Sequence, residues 1–136
     1  MNRTIPKNIN WLEDNQIFVF GSNLGGRHGA GAAYKALAWG AELGRGVGLY
    51  GQTYAIPTKN YNIETLSVED IKPYVEEFIK FAESRQDLEF LVTEIGCGLA
   101  GYKPEQIAPL FEKTVNLMNV KLPERFWTVL QQTNDE

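Results

Sequence analysis

Short continuous apolar runs alternate along the chain with longer stretches in which apolar residues recur every three or four positions. "QIFVF" (16–20), "TYAIPT" (53–58), "EFLVTEIG" (89–96) and "FWTVL" (126–130) are of the first kind. Bounded by glycine, proline or polar residues, they predict strands buried on both faces of a sheet. Pro57 belongs at the end of its strand because it has no N–H for a ladder. Ile71, Val75, Phe78, Ile79 and Ala82 form a helical stripe, capped by Ser67 ahead of acidic Glu69 and Asp70, with Pro73 favouring a start nearby. Ile107, Leu110, Phe111, Val115 and Met118 form a second stripe behind Pro104, and Pro109 within it predicts a delayed start or a kink. Residues 29–43 carry a third, weaker helical pattern.

This order of strands and helices predicts an α/β layered domain, in which ligands bind where the carboxyl ends of the strands meet their loops. Two unusual segments fall at that place: "GSNLGGRHGAG" (21–31) after the first run and "GCGLAGY" (96–102) after the third. Glycine lets successive N–H groups turn toward one point and lets backbone approach a ligand, and a following helix start adds partial positive charge. The Gly25–Gly31 loop before "AAYKALA" and the Gly96–Gly101 loop before the Pro104 helix therefore predict cradles for a diphosphate. The same glycines have a purely structural reading, as tight turns and close helix–sheet contacts. No G-x-x-x-x-G-K-[ST] occurs, and "GVGLYG" (46–51) precedes a strand and opens no helix, so it reads as a connecting loop.

Composition narrows the classes. With 136 residues, 43% hydrophobic and 22% charged, the chain predicts one globular domain over 1–136, with 1–15 as an N-terminal extension and 131–136 as a polar tail. No apolar run approaches the roughly 18 residues of a membrane span, and the N-terminus lacks a signal-peptide core, which predicts a cytoplasmic protein without membrane contact. One cysteine and one histidine give neither a disulfide nor a zinc set, so no metal and no cofactor is expected. The net charge of −4 argues against broad nucleic-acid binding, while a small anion can still be held locally.

The two loops carry a resemblance. "FVFGSNLGGRHGAGAA" (18–33) is similar to the first ligand loop of macro domains, and "IGCGLAGY" (95–102) to their second, phosphate-holding loop. The "R-x-G-A-G" of Arg27 to Gly31, Thr58–Lys59 after a strand, and "IGCGL" from Ile95 to Leu99 most resemble the branch containing the terminal ADP-ribose glycohydrolase; small macro-like proteins of bacteria and their phages are also similar. The resemblance spans roughly residues 16 to 130. It implies a three-layer, macro-domain-like mixed sheet with helices on both faces, shortened at the N-terminus. It also implies binding of ADP-ribose or a related nucleotide-sugar diphosphate, with hydrolysis at the distal ribose in some members.

Position by position, the resemblance implies that Asn23 faces the distal ribose, that Gly29, Ala30 and Gly31 approach ribose and phosphates, and that Gly96, Cys97, Gly98, Leu99, Ala100 and Gly101 wrap the diphosphate. Gly21, Ser22, Leu24, Gly25, Gly26 and Thr58 complete the binding set, Arg27 offers a phosphate partner, and Tyr102 offers a ring to cover the ligand. Lys59 matches the branch's lysine nucleophile, which acts through a Schiff base. That branch has an acid after "GCGL" where this chain has Ala100, leaving Glu94 as its substitute and His28 as a candidate proton shuttle. Cys97 paired with His28 is a further nucleophile candidate. Sequestration of an ADP-ribose-type signal without turnover explains the missing acid more simply. A nucleoside-monophosphate phosphoribohydrolase of the lysine-decarboxylase-like group is a remoter alternative, since "IGCGLAGYKPE" stands where that group has "P-G-G-x-G-T-x-x-E".

Overall fold

The computed structural model describes residues 2–134. Strands β1 (Gln16–Asn23), β2 (Gly48–Tyr50), β3 (Thr53–Lys59), β4 (Glu89–Val92) and β5 (Val120–Lys121) form one mixed sheet in the order β2-β3-β1-β4-β5. β1 runs parallel to both β3 and β4, β4 parallel to β5, and β2 antiparallel to β3. Successive side chains of a strand face opposite ways, and here both ways are apolar. Ile17, Val19, Tyr54, Ile56, Phe90 and Val92 point into a core shared with α2 (Val68–Ser84), α3 (Pro104–Ile107), the 3-10 segment Ala108–Asn116 and α4 (Glu124–Asn134). Phe18, Phe20, Ala55 and Leu91 point to the other side, under α1 (Gly31–Ala36) and Ile9. The result is a three-layer α/β domain with helices on both faces of a mixed sheet.

α2 starts as its sequence predicts, with the Ser67 hydroxyl accepting from the Asp70 N–H at 3.1 Å. Other elements differ from expectation. "FWTVL" is no strand and lies inside α4, where Phe126, Val129 and Leu130 are buried at spacings of three and four, a helical stripe that a five-residue run disguises. The parallel strand at that edge is the two-residue β5 just upstream, too short to give a pattern. The third strand ends at Val92, although Thr93 N–H still donates to Val19 O, and the chain turns at Ile95–Gly96. "GVGLYG" contains β2, an edge strand. Pro57 sits within β3 rather than at its end, beyond the Thr53–Ala55 stretch that β2 covers, so its missing N–H costs no ladder bond there. Pro109 follows α3 by two residues, and the chain continues as a tighter 3-10 coil through Asn116.

One side chain anchors the start of the N-terminal extension. The Arg3 guanidinium donates to the carbonyls of Thr114, Val115, Leu117 and Val120 at 2.6–3.1 Å and lies 5.2 Å from the centre of the Trp127 ring. Thr4 makes a parallel bridge with Leu122, a single rung beside β5. Residues 3–9 thereby become a strap across the sheet's edge, ending at buried Ile9. No helix among the described residues is long and apolar enough to cross a membrane.

Candidate functional site

β1 and β4 are adjacent parallel strands at the centre of the sheet, and their carboxyl ends deliver the two glycine-rich segments side by side. They approach closely: a Cβ on Gly21 would stand 3.5 Å from the Gly96 nitrogen, and one on Gly31 would stand 3.8 Å from the Leu99 side chain. Between them opens a cavity of about 400 Å³, bordered by Gly21, residues 30–33 and residues 93–100. A second cavity of about 600 Å³ adjoins it, sharing Gly31, Ala32, Thr93 and Glu94. Together they make one groove over the α1 side of the sheet.

Part of its polar chemistry is supplied by the main chain. Among the described residues, the N–H groups of Gly31, Ala32 and Ala33 on one border have no hydrogen-bond partner, whereas Tyr34 N–H already donates to Ala30. On the facing border, Cys97, Gly101 and Tyr102 donate to Glu94, Gly98 and Gly96, while the N–H groups of Gly98, Leu99 and Ala100 have no partner. Unpaired donors at a cavity wall are stabilised by an acceptor, and an anion is the strongest one. α1 has only six residues, so the donors themselves, rather than a long helix dipole, carry this preference.

The glycines divide into two groups. Gly26, with φ +66°, and Gly46 are pressed against neighbouring backbone, and added Cβ atoms would lie 2.2 Å from Arg45 N and 1.9 Å from Asn23 O. Gly29 and Gly98 face open space, with nothing within 4 Å of an added Cβ. The first group locks the 23–29 loop onto residues 42–47; of the second, Gly98 borders the groove and leaves it clear.

Several predicted site residues hold this architecture together. Asn23 folds its own loop, its side chain accepting from Arg27 N–H and donating to Arg27 O, both at 2.9 Å. Ser22 donates to Gly46 O, and Thr58 to Ser22 O at 3.3 Å. Leu24 N–H donates to Lys59 O, tying the loop to the end of β3, and a Cβ on Gly25 would sit 3.6 Å from Asn23 Oδ1. His28 is 1% exposed; its Nε2 lies 3.0 Å from Glu42 O and 3.1 Å from Arg45 O, so it must carry the proton, since carbonyls only accept. Nδ1 is then a buried acceptor without a partner, and the ring lies edge-on to Phe20. Tyr102 packs beneath Gly96 and donates to Leu66 O, so its ring supports the second loop. Ala100 O accepts from Thr65 at 3.1 Å. Arg27 is exposed, and Lys59 borders neither cavity.

Glu94 and Cys97 do reach the groove. Glu94 is gripped by Arg125 through paired contacts of 2.6 Å, and that hydrogen bonding holds its carboxyl below the ordinary value despite partial burial. A general acid needs the opposite shift. Burial, then the nearby Glu94 charge, push the Cys97 thiol up to about 11, which suppresses the thiolate. No group of three or more His, Cys, Asp or Glu among the described residues is placed to hold a metal ion.

No family model matches the chain, and neither the curated proteins nor the solved structures give a match. The loops and the groove are thus the whole basis for a functional reading. Sequence reasoning missed the strap residues Ile5, Lys7 and Ile9, together with Phe18, Lys35, Thr93 and Arg125, all bordering the larger cavity. Nothing local marks the strap, because Arg3 binds it to carbonyls more than a hundred residues away. Ala32 and Ala33 continue the run of small residues past the glycines, and Ala33 is buried in the cluster of Phe18 and Phe20.

Proposed function

We propose that this protein binds ADP-ribose or a closely related nucleotide-sugar diphosphate, as a macro-domain-like module. One observation carries the reading: two facing rows of unpaired backbone N–H groups, at Gly31–Ala33 and Gly98–Ala100, border a cavity between the glycine-rich ends of adjacent parallel strands. A diphosphate offers acceptor oxygens to both rows at once. The adjoining cavity of about 600 Å³, floored by Phe18 and walled by Ile5 and Ile9, falls within the roughly 300–1,000 Å³ of small-ligand sites and suits the nucleoside half. Retention of the ligand fits better than cleavage, because His28 is engaged by two carbonyls, Glu94 by Arg125, and Lys59 lies outside the groove.

Calorimetric titration with ADP-ribose, using AMP and ribose 5-phosphate as controls, tests this. The expected result is micromolar binding of ADP-ribose, much weaker binding of either fragment, and loss of binding in Gly98→Glu, whose carboxylate would occupy the open space of the cleft and repel the phosphates. No binding, or equal binding of AMP, overturns the proposal, and release of free base from AMP would favour the phosphoribohydrolase reading instead.

A further inference from the structure

The larger cavity has a charge pattern that a bare nucleoside does not use. Its floor and walls are apolar, with Phe18 2% exposed beneath Ile5 and Ile9. Two lysines stand on its border from opposite elements, Lys7 on the N-terminal strap and Lys35 on α1. Neither forms an ion pair among the described residues; the Lys35 ammonium only lies 6.0 Å from the centre of the Trp39 ring. Of the carboxylates on the same border, Glu94 is neutralised by Arg125, and only Glu124, exposed at the start of α4, is left to offset them. The uncommitted charge at this end is therefore positive, in a chain whose net charge is −4. Lys7 is also not on a free tail, because Arg3 fixes the strap four residues upstream and buried Ile9 fixes it two residues downstream.

Resting on the ADP-ribose-type reading above, the geometry points to a ligand that carries a further phosphate on the ribose of its nucleoside half, held by Lys7 and Lys35. The diphosphate has its own donors in the smaller cavity, so these ammonium groups are available for a second anionic group beside the base. An apolar floor with cations at its rim is the arrangement that takes a flat base and its phosphorylated ribose together. A lysine suits a phosphomonoester as a strongly hydrated point charge that needs no fixed fork geometry.

The test is calorimetric, on the full chain, and pairs each phosphorylated probe with its parent: ADP-ribose 2′-phosphate against ADP-ribose, and adenosine 3′,5′-bisphosphate against AMP. The expected result is about tenfold tighter binding of at least one phosphorylated probe over its parent, a preference that shrinks at high salt and disappears in the Lys7→Gln/Lys35→Gln double variant. In that variant the loss of affinity for the preferred phosphorylated probe should exceed any loss for its parent by about tenfold, and the melting temperature should be unchanged. Equal affinities within both pairs overturn the inference while leaving the binding function intact. An equal loss for every probe in the double variant also overturns it, by showing that the lysines serve the diphosphate. Absence of binding by any probe overturns this inference and the proposed function together.

Discussion

Replacing Gly46 with alanine would set a methyl carbon 1.9 Å from the carbonyl oxygen of Asn23 and 3.0 Å from its carbonyl carbon. Both obstacles are backbone, so no rotamer change relieves the overlap; either the 42–47 segment or the 23–29 loop must move away. Overpacking of this kind costs about 1–3 kcal/mol, and the upper end applies where nothing flexible can yield. Movement also breaks the Ser22 hydroxyl's bond to Gly46 O and strains the His28 contact with Arg45 O, adding about 1 kcal/mol. A loss of about 4 kcal/mol follows, seen as a melting temperature lower by roughly 14 °C. Gly98→Ala is the matched comparison: its Cβ meets nothing within 4 Å, so its stability should stay within about 0.5 kcal/mol of the parent. Urea and thermal melts of the two variants side by side decide the matter. If Gly46→Ala melts within about 2 °C of the parent, or Gly98→Ala falls as far as Gly46→Ala, the division into packing glycines and clearing glycines is refuted.

Three further outcomes are expected. His28→Ala should destabilise the chain by about 2–4 kcal/mol in urea melts, since it removes the donor shared by the Glu42 and Arg45 carbonyls and opens space beneath Phe20. Unfolding within 0.5 kcal/mol (about the size of a surface change) would contradict a holding role. Cys97, with its thiol raised to about 11, should react with iodoacetamide at neutral pH about tenfold more slowly than an unperturbed thiol, since its smaller thiolate fraction is partly offset by higher nucleophilicity, and a rate matching a free cysteine would refute its desolvation. Glu94 has a depressed folded value, so the stability it adds is present above its ordinary 4.5 and is lost as pH falls through the lower folded value. The stability difference between the parent and Glu94→Gln should accordingly be largest near neutral pH and close as the solution is acidified, and a difference that grows with acid would reverse the assignment.

The central sheet was legible because β1, β3 and β4 are buried on both faces and so appear as unbroken apolar runs. α2 was legible because its stripe is long and its Ser67 cap is local. The C-terminal edge was misread for the converse reason. Phe126 to Leu130 is too short a window to separate a strand's run from one turn of helix, and β5 owes its existence to β4 and to the strap rather than to its own residues. At the site, the two glycine-rich segments announced where a cleft would lie. Which polar side chains point into it was not readable: Asn23, Ser22 and His28 look like ligand contacts in a list of residues, and only their distances to Arg27, Gly46, Glu42 and Arg45 show them bracing the loop.

The cleft's donors belong to the main chain, and this bears on how the protein can be probed and how it tolerates change. Ala32, Ala33 and Ala100 are already alanine, and Gly31 and Gly98 have no side chain to remove. An alanine scan would pass over the cleft almost silently, because truncation leaves every N–H in place. Informative variants there have to add volume or charge, or remove a donor outright with proline.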